Sequence, residues 1–257
     1  MAVAPRPAGG WPYLDHPGPL AFAHRGGAGD WPENTMAAFE HAVGLGYRYL
    51  ETDVHVTADG VLVAFHDEVL DRVTDHRGTI AALAWADVAA ARVDGHAIPR
   101  LEDILGTWPE ARVNVDAKHD AAVEPLAAAI ERTAASDRVC VAAFSDARLA
   151  RFRRRTGGRV CTAAGPREIA RLRLASYGVP AGPLAGACAQ VPIRYGRVPI
   201  VDRPFVRAAH RRGVQVHVWT VDAAPEIERL LDLGVDGIMT DRPAVLKDVL
   251  ARRDQWA

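Results

Sequence analysis

The chain has 257 residues, of which 49% are hydrophobic and 25% charged, and its formal net charge is -1. That is ordinary for a globular protein with a sizeable core, and it gives no global basic field for nucleic acid or an anionic membrane. No apolar stretch is long enough to span a bilayer, and the Pro/Gly-rich start from Met1 to Leu20 lacks the apolar core of a signal peptide.

From Leu20 onward, β-like runs alternate with amphipathic helical patterns. The pattern predicts strands at 20–24, 47–53, 61–65, 113–118, 139–144, 159–164, 187–191, 214–219 and 237–240. It predicts helices at 35–45, 121–135, 147–156, 167–177, 204–212, 225–233 and 243–252. Asn34 or Thr35 can cap the first helix, and Gly46 follows its end. Asp222 and Asp241 are expected to cap the last two helices, with Pro225 and Pro243 in their first turns. One unit departs from the strand-helix rhythm. Asp59-Gly60 is a tight-turn signal, so the second strand is expected to pair with the third before an insertion, 68–99, that carries a short helix near 84–91. Repeated strand-then-helix order implies a parallel sheet, and about eight such units over 1–257 match a single (β/α)8 TIM barrel. A doubly wound open sheet is the runner-up, but no Gly-rich dinucleotide fingerprint follows the first strand.

Cys140, Cys161 and Cys188 are odd in number and lack framework spacing, which points to buried thiols in a reducing, cytoplasmic setting. The run Arg151, Arg153, Arg154, Arg155 reads as the exposed end of one helix. Oligomeric state has no signal in the sequence.

Four predicted strands end in paired ionisable groups: His24-Arg25, Glu51-Thr52-Asp53, His66-Asp67 and Asp116-Ala117-Lys118. Burying such groups costs several kcal/mol (~3–5 when a charge is left unpaired) unless they pair or bind a metal. We therefore expect these ends to converge on one polar site. Alternation along a strand puts Glu51 with Asp53, and Asp116 with Lys118, on shared faces. Three carboxylates, Glu51, Asp53 and Asp116, can then offer hard oxygen ligands to one divalent cation, Mg2+ or Ca2+, while two nearby histidines leave Zn2+ open. His24 and His66 suit an acid/base pair at neutral pH, and His55 borders the same face. His16, His41, His76, His96, His119, His210 and His217 read as surface or loop residues, and Asp59 and Asp241 as a turn residue and a helix cap. Trp219 and Gln190, at other strand ends, are candidate contacts at the mouth.

The blocks His24-Arg25-Gly26-Gly27, Pro32-Glu33-Asn34-Thr35, Glu51-Thr52-Asp53-Val54, Thr57-Ala58-Asp59-Gly60 and His66-Asp67 resemble the glycerophosphodiester phosphodiesterase family. The later Val115-Asp116-Ala117-Lys118, Val218-Trp219-Thr220-Val221-Asp222 and the run from Gly234 to Asp241 are similar to it as well, in the right order, from about Leu20 to Leu250. The resemblance implies a (β/α)8 barrel that hydrolyses small-molecule glycerophosphodiesters to sn-glycerol 3-phosphate and an alcohol. It implies a cation held by Glu51, Asp53 and Asp116, an acid/base pair His24 and His66, and phosphate contacts from Arg25 and Lys118. Glu33, Asn34 and Trp219 are the further substrate-binding candidates. The third metal position, usually Glu in the family, is Asp116 here. Few aromatics in 68–99 point to a small soluble headgroup. The competing readings are a phospholipase D-like headgroup transferase or cyclase on lysolipids, for which an apolar rim is expected and not seen in the sequence, and a non-catalytic phosphate-binding barrel.

Overall fold

Alternation along the strands sorts side chains into an outer shell that meets helices and an inner shell that meets a common axis. The computed structural model describes residues 10–256. Its parallel strands are β1 Leu20–Ala23, β2 Tyr49–Val56, β3 Arg112–Ala117, β4 Val139–Ala142, β5 Cys161–Thr162, β6 Cys188–Pro192, β7 Gln215–Trp219 and β8 Gly237–Thr240. They lie in the order β5-β4-β3-β2-β1-β8-β7-β6. The free edges of β5 and β6 meet through a parallel bridge between Ala163 and Cys188 and through the Ala164 N–H to Cys188 carbonyl bond of 2.7 Å. This seam needs a glycine: a Cβ on Gly186 would sit 2.3 Å from the Ala164 nitrogen. The result is a (β/α)8 barrel.

Each strand is followed by a helix: α1 Met36–Gly44, α2 Leu101–Thr107, α3 Val123–Arg132, α4 Asp146–Arg155, α5 Pro166–Ser176, α6 Arg203–His210, α7 Ala224–Leu233 and α8 Pro243–Arg252. Between the strands and these helices lies the main core, with Leu50, Val113, Val115, Val139, Val216 and Ile238 among its outward-facing strand residues. Inside the barrel, Tyr13, Phe22, Tyr49, Cys140, Cys161 and Cys188 form a second apolar cluster. Tyr13 comes from a short turn before β1 and plugs the barrel floor, its ring 5.5 Å from that of Tyr49. All three cysteines are buried thiols, as expected.

The turn at Asp59-Gly60 forms: Leu62–Ala64 pairs antiparallel with the end of β2, Val54 facing Ala64. The insertion carries a helix at Trp85–Ala90 and packs a small cluster of its own around Phe65, Leu70, Ile80 and Val88. Helix α2 was not anticipated, because Pro99 and Pro109 bracket a run too short for a clear period and Gly106 interrupts it. Of the two cap candidates for α1, Thr35 makes the cap, accepting from the Ala38 N–H at 3.2 Å. Three further expectations are corrected. Neither Asp222 nor Asp241 caps a helix: the cap positions of α7 and α8 are Ala223 and Arg242, and neither makes a side-chain cap bond. His217 is fully buried inside the barrel on β7, and Arg153 is buried too, donating to Thr162, the Ala163 carbonyl and Glu168.

Candidate active site

Strand register assembles the acidic group. β2 and β3 pair with Asp53 opposite Asp116 and Glu51 opposite Asn114, so inward-facing acids of adjacent strands stand side by side at the C-terminal mouth. Lys118, two residues beyond Asp116, turns its ammonium back between them, 2.7 Å from both Asp53 Oδ1 and Asp116 Oδ2. Arg25 follows β1 in a left-handed conformation, φ 51°, inside a turn completed by Gly26 and Gly27. A Cβ on Gly26 would clash with Ala38 at 2.7 Å, so α1 can seat against this turn only through a glycine. The bend lets the Arg25 N–H donate to Glu51 Oε2 at 3.1 Å while its guanidinium pairs with Asp53 and Glu33, each at 3.2 Å.

Charge in the cluster is unevenly balanced. Burial, followed by the nearby Asp53 carboxylate, pushes Glu51 up to about 7. Burial opposes ionisation of Asp53, but Lys118 and Arg25 outweigh it and hold that carboxyl below its usual range. Burial raises Asp116 despite Lys118, and Asp116 Oδ1 is buried with no hydrogen-bond partner. An orphaned acceptor beside a carboxylate held near neutrality is a donor set with room for more positive charge, which fits a hard divalent cation. Among the described residues no three His, Cys, Asp or Glu side chains stand together as a ready-made metal cluster, and the Lys118 ammonium lies between two of the three acids.

Both histidines end in a carboxylate partner. His24 Nδ1 is 2.6 Å from Asp241 Oδ1, and His66 Nδ1 is 2.6 Å from Asp67 Oδ1. A carboxylate only accepts, so Nδ1 carries the proton in each ring and Nε2 is left for chemistry. His24 Nε2 lies 3.7 Å from Glu51. Burial alone would lower the His24 pKa, but Glu51 and the Asp241 bond outweigh it and raise it. Asp67 is gripped in turn by Arg72, whose guanidinium also holds Glu33 at 2.7 Å.

His24, Arg25, Glu51, Asp53, His66, Asp116, Lys118, Gln190 and Trp219 all line one cavity of about 980 Å3. The structure thus brings together the expected acids, histidines and cations. Glu33 and Asn34 do not line this cavity. Asn34 is buried behind Asp53, accepting from Thr52 Oγ1 at 2.7 Å, and Glu33 ties Arg25 to Arg72, so both position the site without facing substrate space. His55 also sits behind, its Nε2 3.0 Å from the His66 carbonyl. Gln190 donates to Asn114 at 2.7 Å, and the Trp219 ring stands 5.8 Å from that of Phe144. Sequence reasoning missed Asp241 and Arg72. Asp241 carried the same signal as the other acids, a polar group just past a strand end, but Pro243 made it look like a cap. The expected lack of an apolar rim is also overturned, since exposed Phe144, Leu174 and Tyr195 line this same cavity.

The model of the glycerophosphoryl diester phosphodiesterase family matches residues 24–245. The chain belongs to that family. It is 42% identical over 254 residues to the probable glycerophosphodiester phosphodiesterase 2 of Mycobacterium tuberculosis, covering 95% of each chain. A Silicibacter pomeroyi protein solved under the family name superposes with a TM-score of 0.81 at 25% identity, over 96% of this chain and all of that one. An Oleispira antarctica phosphodiesterase, solved in complex with the product sn-glycerol-3-phosphate, shares the fold at a TM-score of 0.74 and 21% identity, over 91% of this chain and 97% of its own. The matched span takes in every residue of the polar mouth, from His24 to Asp241.

Proposed function

We propose that the mouth hydrolyses glycerophosphodiesters to sn-glycerol 3-phosphate and an alcohol, with the chain acting as one barrel domain. The observation that carries this reading is the pair of His–Asp dyads flanking three carboxylates and two cations in a single cavity. Glu51, Asp53 and Asp116 would hold one divalent cation, Mg2+ or Ca2+. When bound, that ion supplies Lewis-acid neutralisation of the phosphoryl oxygens.

The remaining work falls to the chain's own groups. Arg25 and Lys118 bind the anionic diester and oppose charge building on its oxygens. His24, seated on Asp241, takes the proton of the glycerol hydroxyl next to the phosphate. The hydroxyl oxygen then bonds to phosphorus, and the bond to the alcohol breaks. His66, seated on Asp67, gives its proton to the departing alkoxide. The cyclic phosphate left behind is opened by water in the reverse sense: His66 takes the water proton, and His24 returns one to the glycerol oxygen. Trp219 borders the bound ester.

The test is release of sn-glycerol 3-phosphate from glycerophosphocholine and glycerophosphoethanolamine. It is run with EDTA, with Mg2+ or Ca2+ restored, and with His24→Ala. The reading expects activity that EDTA removes, that one cation restores, and that falls by about 10²-fold or more in the variant. Activity indifferent to both EDTA and His24→Ala refutes it.

A further inference from the structure

Beside its polar mouth the cavity has an apolar wall, from Phe144 to Ile200, and that wall continues onto the outer surface. Phe144, on the loop after β4, Leu174, near the end of α5, and Tyr195, after β6, line the cavity and are also exposed. Tyr177, Val179 and Val198 are exposed on the same segments but lie outside the cavity. Tyr195 and Val198 sit on a small hairpin, in which Arg194-Tyr195 pairs antiparallel with Val198-Pro199 around Gly196, and every residue over 194–199 is exposed. Single exposed apolar residues are normal, but six on three segments that share one cavity edge are not.

The overall net charge of -1 hides a local excess of positive charge. No Asp or Glu occurs over 169–201, a stretch that contains Arg171, Arg173, Arg194 and Arg197. The acids bordering it are already engaged. Glu168 is taken by Arg153 and three backbone amides, Asp202 grips the buried Arg173 at 2.7 Å, and Asp146 accepts from the Arg167 N–H at 3.2 Å. Arg171, Arg194 and Arg197 are exposed and make no ion pair among the described residues, the Arg194 side chain donating to the Arg197 carbonyl.

These charges and shapes separate the occupants of such a surface. A second copy related by a two-fold axis would set the same arginines against each other, with no acid in the patch to meet them. An acidic protein would neutralise the arginines, but protein interfaces close-pack around a central apolar core. Here the apolar side chains stand on a hairpin, a loop and a helix end around an open cavity. A fluid interface accepts separate insertions: aromatic and aliphatic tips enter the headgroup boundary while arginines stay at the level of the phosphates. We propose that this rim docks on an anionic lipid bilayer, with Phe144, Leu174, Tyr177, Val179, Tyr195 and Val198 entering the interface and the barrel mouth turned toward it. Arg171, Arg194 and Arg197 face the headgroups. The docking is independent of which diester the mouth cleaves.

The experiment mixes the full chain with vesicles of phosphatidylcholine alone, or of phosphatidylcholine with phosphatidylglycerol, and measures partition by flotation at low and high salt. Partition onto the anionic vesicles is expected to exceed that onto the neutral ones by about 10²-fold and to weaken as salt rises. Two variants separate charge from insertion, and none of their positions lines the cavity. Arg194→Glu, Arg197→Glu should bring anionic partition down to the neutral level. Val179→Ser, Val198→Ser should lower it by about tenfold while the salt dependence stays. Both variants should keep the native circular dichroism and thermal midpoint, and the native rate of glycerophosphocholine hydrolysis without vesicles, so lost partition reads as lost docking. A chain that hydrolyses no diester but partitions as described leaves the docking standing and removes the hydrolytic reading. Partition that is equal on both vesicles, absent from both, or kept by the charge variant overturns the docking. A concentration-dependent dimer in sedimentation velocity, abolished by the valine variant and without vesicle binding, also overturns it and gives the face to a second copy.

Discussion

Asp241 Oδ1 stands 2.6 Å from His24 Nδ1, although 217 residues separate them in the chain. The contact exists because β8 lies beside β1 in the barrel, pairing Thr240 with Ala23, so the residues just past the two strand ends meet. Asp241 is held from behind: its N–H and the Thr240 hydroxyl both donate to Asp222 Oδ1.

Asp241→Ala should therefore damage catalysis without unfolding the barrel. Loss of the partner frees the His24 tautomer, and kcat should fall by about 10²-fold or more. The sign of the pH effect follows from the contacts. Asp241 helps raise the His24 pKa, so its removal lowers that pKa. With His24 as the proposed base, deprotonated when it acts, the acidic limb of the kcat/KM profile should move to lower pH. A limb that stays in place, or moves up, shows that His24 is not the titrating base.

The leaving group distinguishes the two histidines. If His66 protonates the departing alkoxide, His66→Ala should cost about 10²–10⁴-fold on glycerophosphocholine and far less on glycerophospho-p-nitrophenol, whose leaving group needs no proton. The corresponding His24 variant should lose activity on both. Equal losses on both esters for His66→Ala would reverse or abolish its assigned role.

Lys118 lies 2.7 Å from both Asp53 and Asp116, two of the acids assigned to the cation. Lys118→Met should tighten Mg2+ or Ca2+ binding by roughly tenfold as a competing charge disappears, and should raise substrate KM as a phosphate partner is lost. Calorimetric titration of the cation and steady-state KM read the two effects separately. Weaker cation binding in the variant would show that the ammonium does not oppose the ion.

Glu168 guards the barrel seam. Its carboxylate accepts from the N–H groups of Gly165, Ala185 and Gly186 and pairs with Arg153 at 3.3 Å. Burial works against its ionisation, but Arg153 and the three amides outweigh it, and the folded pKa is depressed. A depressed carboxyl contributes stability that is complete above its unfolded pKa and lost as pH falls through the folded value. Glu168→Gln should cost about 1–3 kcal/mol at neutral pH and flatten the stability curve below the ordinary glutamate range. Urea unfolding between neutral and acidic pH checks both. An unchanged slope with acidification would remove Glu168 from the account.

Much of the barrel could be read from the chain because alternation is local. Glu51 with Asp53, and Asp116 with Lys118, were placed on common faces by counting in twos, and the register then set Asp53 beside Asp116. What the sequence hid was non-local. Asp241 before Arg242-Pro243 has the local pattern of a helix cap, and only the closing of β8 onto β1 gives it to His24. His217 sits in Val216-His217-Val218 with the inward parity of its strand, but its polarity argued for a surface that tertiary packing denied it. Arg153 looked like one of four solvated charges until α4 packed it against Thr162 and Glu168. The apolar wall escaped notice because its members, from Phe144 to Ile200, are scattered over three segments and share no period.

The most direct test replaces the glycerol moiety of the diester with one that lacks its central hydroxyl and follows turnover by phosphorus NMR. The account predicts that the parent diester passes through a cyclic phosphate to sn-glycerol 3-phosphate and that the deoxy analogue is inert. Hydrolysis of the analogue at a rate comparable to the parent, with no cyclic species from either, would contradict it.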